Sequence, residues 1–157
     1  MKGEIYMNKI IKNIFYLFLP IILGSIVGFI ISDYIDYSTL IKPPLAPPKI
    51  LFPIAWSIIY LLMGISYYLF KKKNFETKKE NYVYYLQLII NLLWSIIFFV
   101  FKLRFLSILW IILLDILVVY MIYKFYKKYK ISAYLNIPYL IWILFATYLT
   151  IGIYILN

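Results

Sequence analysis

The chain has 157 residues, 66% of them hydrophobic, with a mean hydropathy of +0.91 and a formal charge of +10. Soluble domains hold roughly 45–50% apolar residues, and a fold this small leaves much of its surface in water, so composition excludes a water-soluble domain. With no cysteine and no histidine, disulfides, thiolate nucleophiles, imidazole acid–base pairs and the usual soft-metal ligand sets are excluded as well.

The apolar residues fall into runs of roughly 18–24, the length that crosses about 30 Å of hydrocarbon at 1.5 Å per residue. The first span is predicted from Ile10 to Ile31, with Lys12 and Asn13 at its start and Pro20 inside it. Gly24 and Gly28 are four apart and share a face that permits close helix approach, with Ser25 beside them. The run is long and lacks a small-x-small cleavage site, which argues against a removed signal peptide. A polar stretch from Ser32 to Lys49 follows, carrying Asp33, Asp36, Lys42 and four prolines. The second span is Ile50 to Phe70, with Pro53 in its first turn, where a missing N–H costs little. After a basic loop, Lys71 to Asn81, come the third span (Val83 to Phe101), a turn with Lys102 and Arg104, and the fourth span (Phe105 to Tyr123). The basic segment Lys124 to Lys130 leads into the fifth, Ala133 to Leu156, with Pro138 near its start. Each run can satisfy its own backbone only as a helix, whereas a barrel needs shorter strands of alternating polarity. The expected fold is an all-α membrane protein, one domain, a bundle of five transmembrane helices over residues 10–31, 50–70, 83–101, 105–123 and 133–156.

Charge sets the expected orientation. One side carries Lys2, Lys9, Lys12, Lys71, Lys72, Lys73, Lys78, Lys79, Lys124, Lys127, Lys128 and Lys130; the other carries Lys42, Lys49, Lys102 and Arg104. The positive-inside rule then places the N-terminus in the cytoplasm and the C-terminus outside; a bacterial cytoplasmic membrane is the expected location. The net charge reads as solvated anchors flanking the spans, not as a nucleic-acid surface.

Three features could carry chemistry. Lys42-Pro43-Pro44-Leu45-Ala46-Pro47-Pro48-Lys49 is expected to be extended as polyproline II, either a stiff lid over a helix bundle or a rigid linker. Trp56, Tyr60, Met63 and Tyr67 form a helical stripe, as do Gln87, Asn91, Trp94 and Phe98, and Trp142, Phe145, Ala146 and Leu149. Facing one another, these stripes would enclose an aromatic cavity for a flat apolar ligand; the alternative is ordinary packing. Trp110 suits the membrane interface. Asp115 is a mid-span acid that should face the interior, bonded to a neighbouring helix, and its isolation argues against a proton relay.

The run Lys42-Pro43 through Pro47-Pro48, Trp56 with Tyr60-Leu61-Leu62-Met63-Gly64, and Gln87 through Ser95 resemble the TspO/MBR family. Asp115, Pro138-Tyr139-Leu140-Ile141-Trp142 and Phe145-Ala146-Thr147-Tyr148-Leu149 extend the resemblance over all five spans. That family comprises bacterial tryptophan-rich sensory proteins and the mitochondrial translocator protein, or peripheral benzodiazepine receptor. The resemblance implies a five-helix bundle, often dimeric, that binds tetrapyrroles such as protoporphyrin IX and haem. Carried over by position, the ligand would be lined by Trp56, Tyr60, Asn91, Trp94, Trp142 and Ala146, with Pro47 and Pro48 in the loop lid. No cofactor is obligatory and no metal site is expected. Lipid, the tetrapyrrole and a second copy of the chain (through Gly24 and Gly28 or the third span) are the implied partners, without nucleic acid. Leu45 stands where many relatives have Trp, which would take an aromatic group out of the lid. Thr150-Ile151 replaces an Asn-aromatic pair, and the basic residue of the sterol-recognition pattern is missing after Tyr154.

The expected function is thus a membrane receptor or sensor for tetrapyrroles, with Lys42 or Lys49 pairing with the propionates. Without His or Cys for axial ligation, metal-free porphyrin should bind at least as well as haem. Light-dependent porphyrin degradation would use Trp56 and Trp142 as redox-active groups. The alternative is a carrier or transporter of hydrophobic small molecules.

Overall fold

The computed structural model describes residues 2–75 and 77–157, with side chains from Ile14 onward. The chain forms α1 (Lys2–Ile31), a 3₁₀ turn (Ser32–Tyr34), α2 (Leu51–Lys72), α3 (Lys78–Ser95) running on as a π turn (Ile96–Val100), α4 (Arg104–Lys128), short α5 (Lys130–Tyr134) and α6 (Ile137–Leu156). No strand occurs among the described residues. Five segments are long and apolar enough to cross a bilayer: Ile14–Tyr34, Leu51–Lys72, Lys78–Val100, Arg104–Lys128 and Lys130–Leu156. The protein is an all-α integral membrane bundle, as the sequence implies.

Helix ends depart from the hydropathy limits for local reasons. The helices α2 and α4 continue into Lys71-Lys72 and Lys127-Lys128, where cations favour the carbonyl end and their stems extend the apolar surface. Helix α3 starts five residues before Val83 because Thr77 and Glu80 form a reciprocal capping box. Glu80 is almost fully buried and pairs with Lys128 of α4 at 3.0 Å. The fifth span is interrupted between α5 and α6. Pro138 occupies the first turn of α6, and buried Asn136 donates to Ser66 Oγ (2.7 Å) and Ser132 O (2.8 Å). Ser66 and Ser132 also exchange hydroxyl-to-carbonyl bonds, so the break is knitted to α2. The side chains of Lys2, Lys9 and Lys12, counted among the anchors, lie outside the described residues.

Helix α1 packs along α2 and also touches α3, while α4 lies against α3, α5 and α6, and α2 meets α5 and α6. Two glycines set the α1–α2 distance. A Cβ at Gly64 would overlap the Leu17 backbone carbonyl, and one at Gly24 would overlap the Tyr60 ring. Close approach without a side chain is how helices associate where lipid competes for apolar contacts. Below this crossing, Tyr67 stacks on Tyr84 at 3.7 Å and Phe70 on Phe125 at 4.2 Å.

Gly64→Ala should lower the unfolding free energy in detergent by about 1–3 kcal/mol, the usual cost of forced overpacking. Gly28→Ala, where a Cβ meets nothing within 4 Å, should leave the thermal transition unchanged. Equal transitions for Gly64→Ala and the parent would contradict the crossing described.

Candidate functional site

Toward the loop end, α1 and α2 part and leave a cavity of about 610 Å³, within the range of roughly 300–1,000 Å³ typical of small-molecule sites. Its walls come from the second half of α1, the loop, the first half of α2, the end of α3 and the middle of α6. Five of the residues expected from sequence line it: Trp56, Tyr60, Trp94, Trp142 and Ala146. Helical spacing explains the convergence, because Trp56 and Tyr60 are one turn apart on α2, and Trp142 and Ala146 one turn apart on α6.

The aromatic wall is mutually braced. Trp56 stacks on Tyr60 at 5.3 Å and meets the edges of Trp142 and Tyr139, each at 6.4 Å. Phe52 bridges Trp142 (5.9 Å) to Tyr37 (5.0 Å). Trp94 is only 7% exposed, and neither its Nε1 nor that of Trp142 has an acceptor in the protein. Both nitrogens are buried within the protein, so what the two indoles turn to the cavity is ring surface. Lys49 is the one cationic group in the lining.

Asn91 is not in the lining. It stands behind Tyr60, whose hydroxyl donates to Asn91 Oδ1 at 2.7 Å. Asn91 Nδ2 donates to Tyr139 (2.9 Å), and Tyr139 donates to Gln87 Oε1 (2.9 Å). All four are buried, and this chain fixes the Tyr60 ring instead of presenting an amide to the cavity. Pro47 and Pro48 are likewise absent from the lining.

The loop is a tied cover, and it is not extended throughout. Ala46 N donates to Pro43 O at 3.3 Å and Leu51 N to Pro48 O at 3.0 Å, closing two turns. Leu45 has φ 65, the left-handed conformation that the third residue of a type II turn takes after proline. It is 84% exposed and outside the lining, so the Leu45 difference leaves the cavity wall intact. Tyr37 OH donates to Pro47 O (2.8 Å) and Tyr148 OH to Pro44 O (2.7 Å). Burial pushes the Tyr37 phenol up from its ordinary value, keeping it a donor. The Asn157 amide clasps Ile41, accepting from its N and donating to its O at 3.0 Å each. Pro43 lies where a side chain at Gly152 would be. Asp36 accepts from Arg104 Nη2 at 2.9 and 3.1 Å and pairs with Lys102 at 3.4 Å. Arg104 is itself held by the Phe98 carbonyl (2.7 Å) and ring (4.1 Å). Lys42 sits over the Tyr37 ring at 5.2 Å, outside the cavity.

Phe52, Tyr37, Ile35 and Phe99 join the wall without having been singled out from sequence. Phe52 was legible, since it stands four residues before Trp56 and extends that stripe by a turn; Tyr37 is placed only by the loop's tertiary ties. Trp110 does more than sit at an interface: its Nε1 donates to Ile90 O of α3 at 2.9 Å. Asp115 accepts from Thr147 of α6 at 2.8 Å, an α4–α6 link as expected. No group of three or more metal-ligating His, Cys, Asp or Glu occurs among the described residues.

Residues 16–156 match the model of the TspO/MBR family. The chain is 34% identical to the tryptophan-rich protein TspO of Chlorobaculum tepidum, over 93% of this chain and 98% of that protein. It is 35% identical to the protein of the same name from Archaeoglobus fulgidus, over 77% of this chain and 79% of that one. It is also 30% identical to the tryptophan-rich sensory protein of Cereibacter sphaeroides, over 71% of this chain and 70% of that one.

The loop ties can be tested separately from any ligand. Asp36→Ala removes the acceptor of a largely buried, charge-assisted pair, worth about 1.5–3 kcal/mol. Amide hydrogen exchange across residues 35–50 should accelerate roughly tenfold or more, with α3 and α4 unchanged. Unchanged loop protection would mean that the other ties suffice.

Proposed function

The chain belongs to the TspO/MBR family, and on that basis we propose that it is a membrane receptor or sensor that takes a tetrapyrrole of the protoporphyrin IX type into the aromatic cavity. The observation that carries this reading is the wall itself: Trp56, Trp94 and Trp142 around one enclosed space, two of them with unpaired indole N–H groups. A flat apolar macrocycle would cover the indole and phenol faces that line the cavity. Lys49 is the group available for a propionate at the loop end; Lys42, engaged over Tyr37, is not in the lining. The name of the Cereibacter sphaeroides relative supports a sensory role.

The lining contains no imidazole, thiolate or thioether, and its two phenols, Tyr37 and Tyr60, already donate to Pro47 O and Asn91 Oδ1, so it is poorly provided with axial ligands for haem iron. Metal-free porphyrin is the better match. The lysine distribution supports a cytoplasmic N-terminus in a bacterial inner membrane. Gly24 is engaged within the protomer, against Tyr60, whereas Gly28 is exposed, so the candidate faces for a second copy are Gly28 and α3.

Titration of the detergent-solubilised protein with protoporphyrin IX in the dark, followed by tryptophan quenching, should give saturable binding. Trp56→Phe or Trp142→Phe should weaken it by roughly two- to tenfold, the worth of one aromatic contact. Illumination of the complex then separates two roles: loss of porphyrin absorbance that Trp142→Phe abolishes would indicate turnover, and stable absorbance would indicate a sensor alone. Absence of saturable binding would sink the tetrapyrrole reading. Accumulation in sealed vesicles would instead favour the carrier alternative.

A further inference from the structure

The cavity has two sides that differ in construction. On the loop side lies a segment tied down through Asp36–Arg104, Tyr37–Pro47, Tyr148–Pro44 and Asn157–Ile41, with Lys49 and Ile50 exposed at its edge. On the side between α1 and α2 the described residues provide no such tied segment. Ser25 and Gly28 of α1 and Pro53 and Ser57 of α2 line the cavity and are themselves exposed. A Cβ added at Gly28 would meet nothing within 4 Å, so no neighbouring group fills the space at that point.

Position along the helices decides what this opening faces. Gly28 lies six residues and Ser25 nine residues inside the end of the first span at Tyr34, about 9 and 13 Å at 1.5 Å per residue. Ser57 lies six residues inside the start of α2 at Leu51, also about 9 Å deep. These depths fall within a hydrocarbon layer of about 30 Å. Ser57 turns its hydroxyl back onto Pro53 O at 2.8 Å, which removes it as a polar obstacle. The opening is therefore bordered by small or self-satisfied groups and flanked by the lipid-facing Ile22, Ile26, Phe29 and Ile54.

We infer that the cavity exchanges its ligand with the hydrocarbon interior of the bilayer, through a mouth between α1 and α2 framed by Ser25, Gly28, Pro53 and Ser57, and not with water past the loop. Its ligands are thus molecules already dissolved in the membrane and apolar in body, matching the apolar lining. The inference extends the receptor reading given above by naming the phase that supplies the ligand, but its test needs no tetrapyrrole.

The chain has four tryptophans, of which Trp56, Trp94 and Trp142 line the cavity. In Trp110→Phe every remaining indole reports on it. Reconstituted in phosphatidylcholine vesicles, this protein should be quenched strongly by doxylnonane, a small nitroxide that dissolves in the hydrocarbon layer, and weakly by aqueous acrylamide. Adding Gly28→Phe should remove most of the doxylnonane quenching and leave acrylamide quenching unchanged. Ser25→Phe, at the same mouth, serves if the first variant loses its helical circular dichroism. Adding Asp36→Ala instead should raise acrylamide quenching without changing that by doxylnonane. The inference is overturned if acrylamide is the stronger quencher in the Trp110→Phe parent, or if folded Gly28→Phe and Ser25→Phe both keep the parent's doxylnonane quenching. Because protoporphyrin takes no part, failure of the tetrapyrrole titration and failure of this experiment are separate results.

Discussion

Water is absent from the hydrocarbon layer, so each polar group placed there must find its partner inside the bundle. That requirement organises the interior of this protein. Tyr60, Asn91, Tyr139 and Gln87 are joined in one chain. Ser66, Ser132 and Asn136 close the break in the fifth span. Asp115 takes the Thr147 hydroxyl, and Trp110 finds a carbonyl on α3. Against this background the few exceptions divide cleanly. Asp115 and Asn136 each leave one oxygen without a partner but use their other polar atom, and the Tyr84 ring is stacked on Tyr67. Among the described residues, Trp94 and Trp142 combine a buried, unpartnered indole nitrogen with ring surface in the wall of the cavity.

The cavity itself follows from two backbone positions. Gly24 and Gly64 let α1 lie against α2 at the middle of the bundle. Beyond Gly24 the helices separate, because Trp56 and Phe52 replace glycine at the successive contacts on α2 and Gly28 offers nothing to fill the gap. A narrow crossing and a wide end are thus one arrangement, not two. The loop then has to span the wide end, which accounts for its several independent ties. Its two turns place Pro43 against Gly152, the only kind of residue on α6 that leaves room for the ring.

Length and hydropathy made the five helices legible, because lipid leaves the chain no other way to satisfy its backbone. The tryptophan stripes were legible for a similar reason: helical spacing alone puts Trp56 with Tyr60 and Trp142 with Ala146. Asn91 was misplaced by the same logic. Helical phase puts it on the cavity side of α3, but the Tyr60 hydroxyl reaches it first and screens it. Helix ends depart from the hydropathy limits where capping chemistry outweighs hydropathy, as at Thr77 and Glu80. The loop was least legible. Paired prolines suggest an extended run, yet its course is set by Tyr148, Asn157 and Arg104, residues 68 to 116 positions away along the chain, and no local pattern encodes such ties.

A sensor must do more than bind, since a ligand changes a conformational equilibrium only by preferring one state. The distribution of contacts here limits where such a preference can act. Helix α4 contributes nothing to the cavity wall and is held between α3 and α6, so it is a poor receiver of the signal. Helix α1 is the opposite case. Among its described side chains only Pro20 and Ile31 are buried, and its main contact is with α2. A ligand in the cavity would touch α1 on one side and α3 and α6 on the other, adding apolar area to the helix that has least of it. In hydrocarbon such contact displaces lipid and not water, so its worth lies in packing and hydrogen bonding. The aromatic wall, braced through Tyr60, Asn91 and Tyr139, would change little. The part of this protein whose position ligand binding can alter is therefore α1, together with the loop that continues from it.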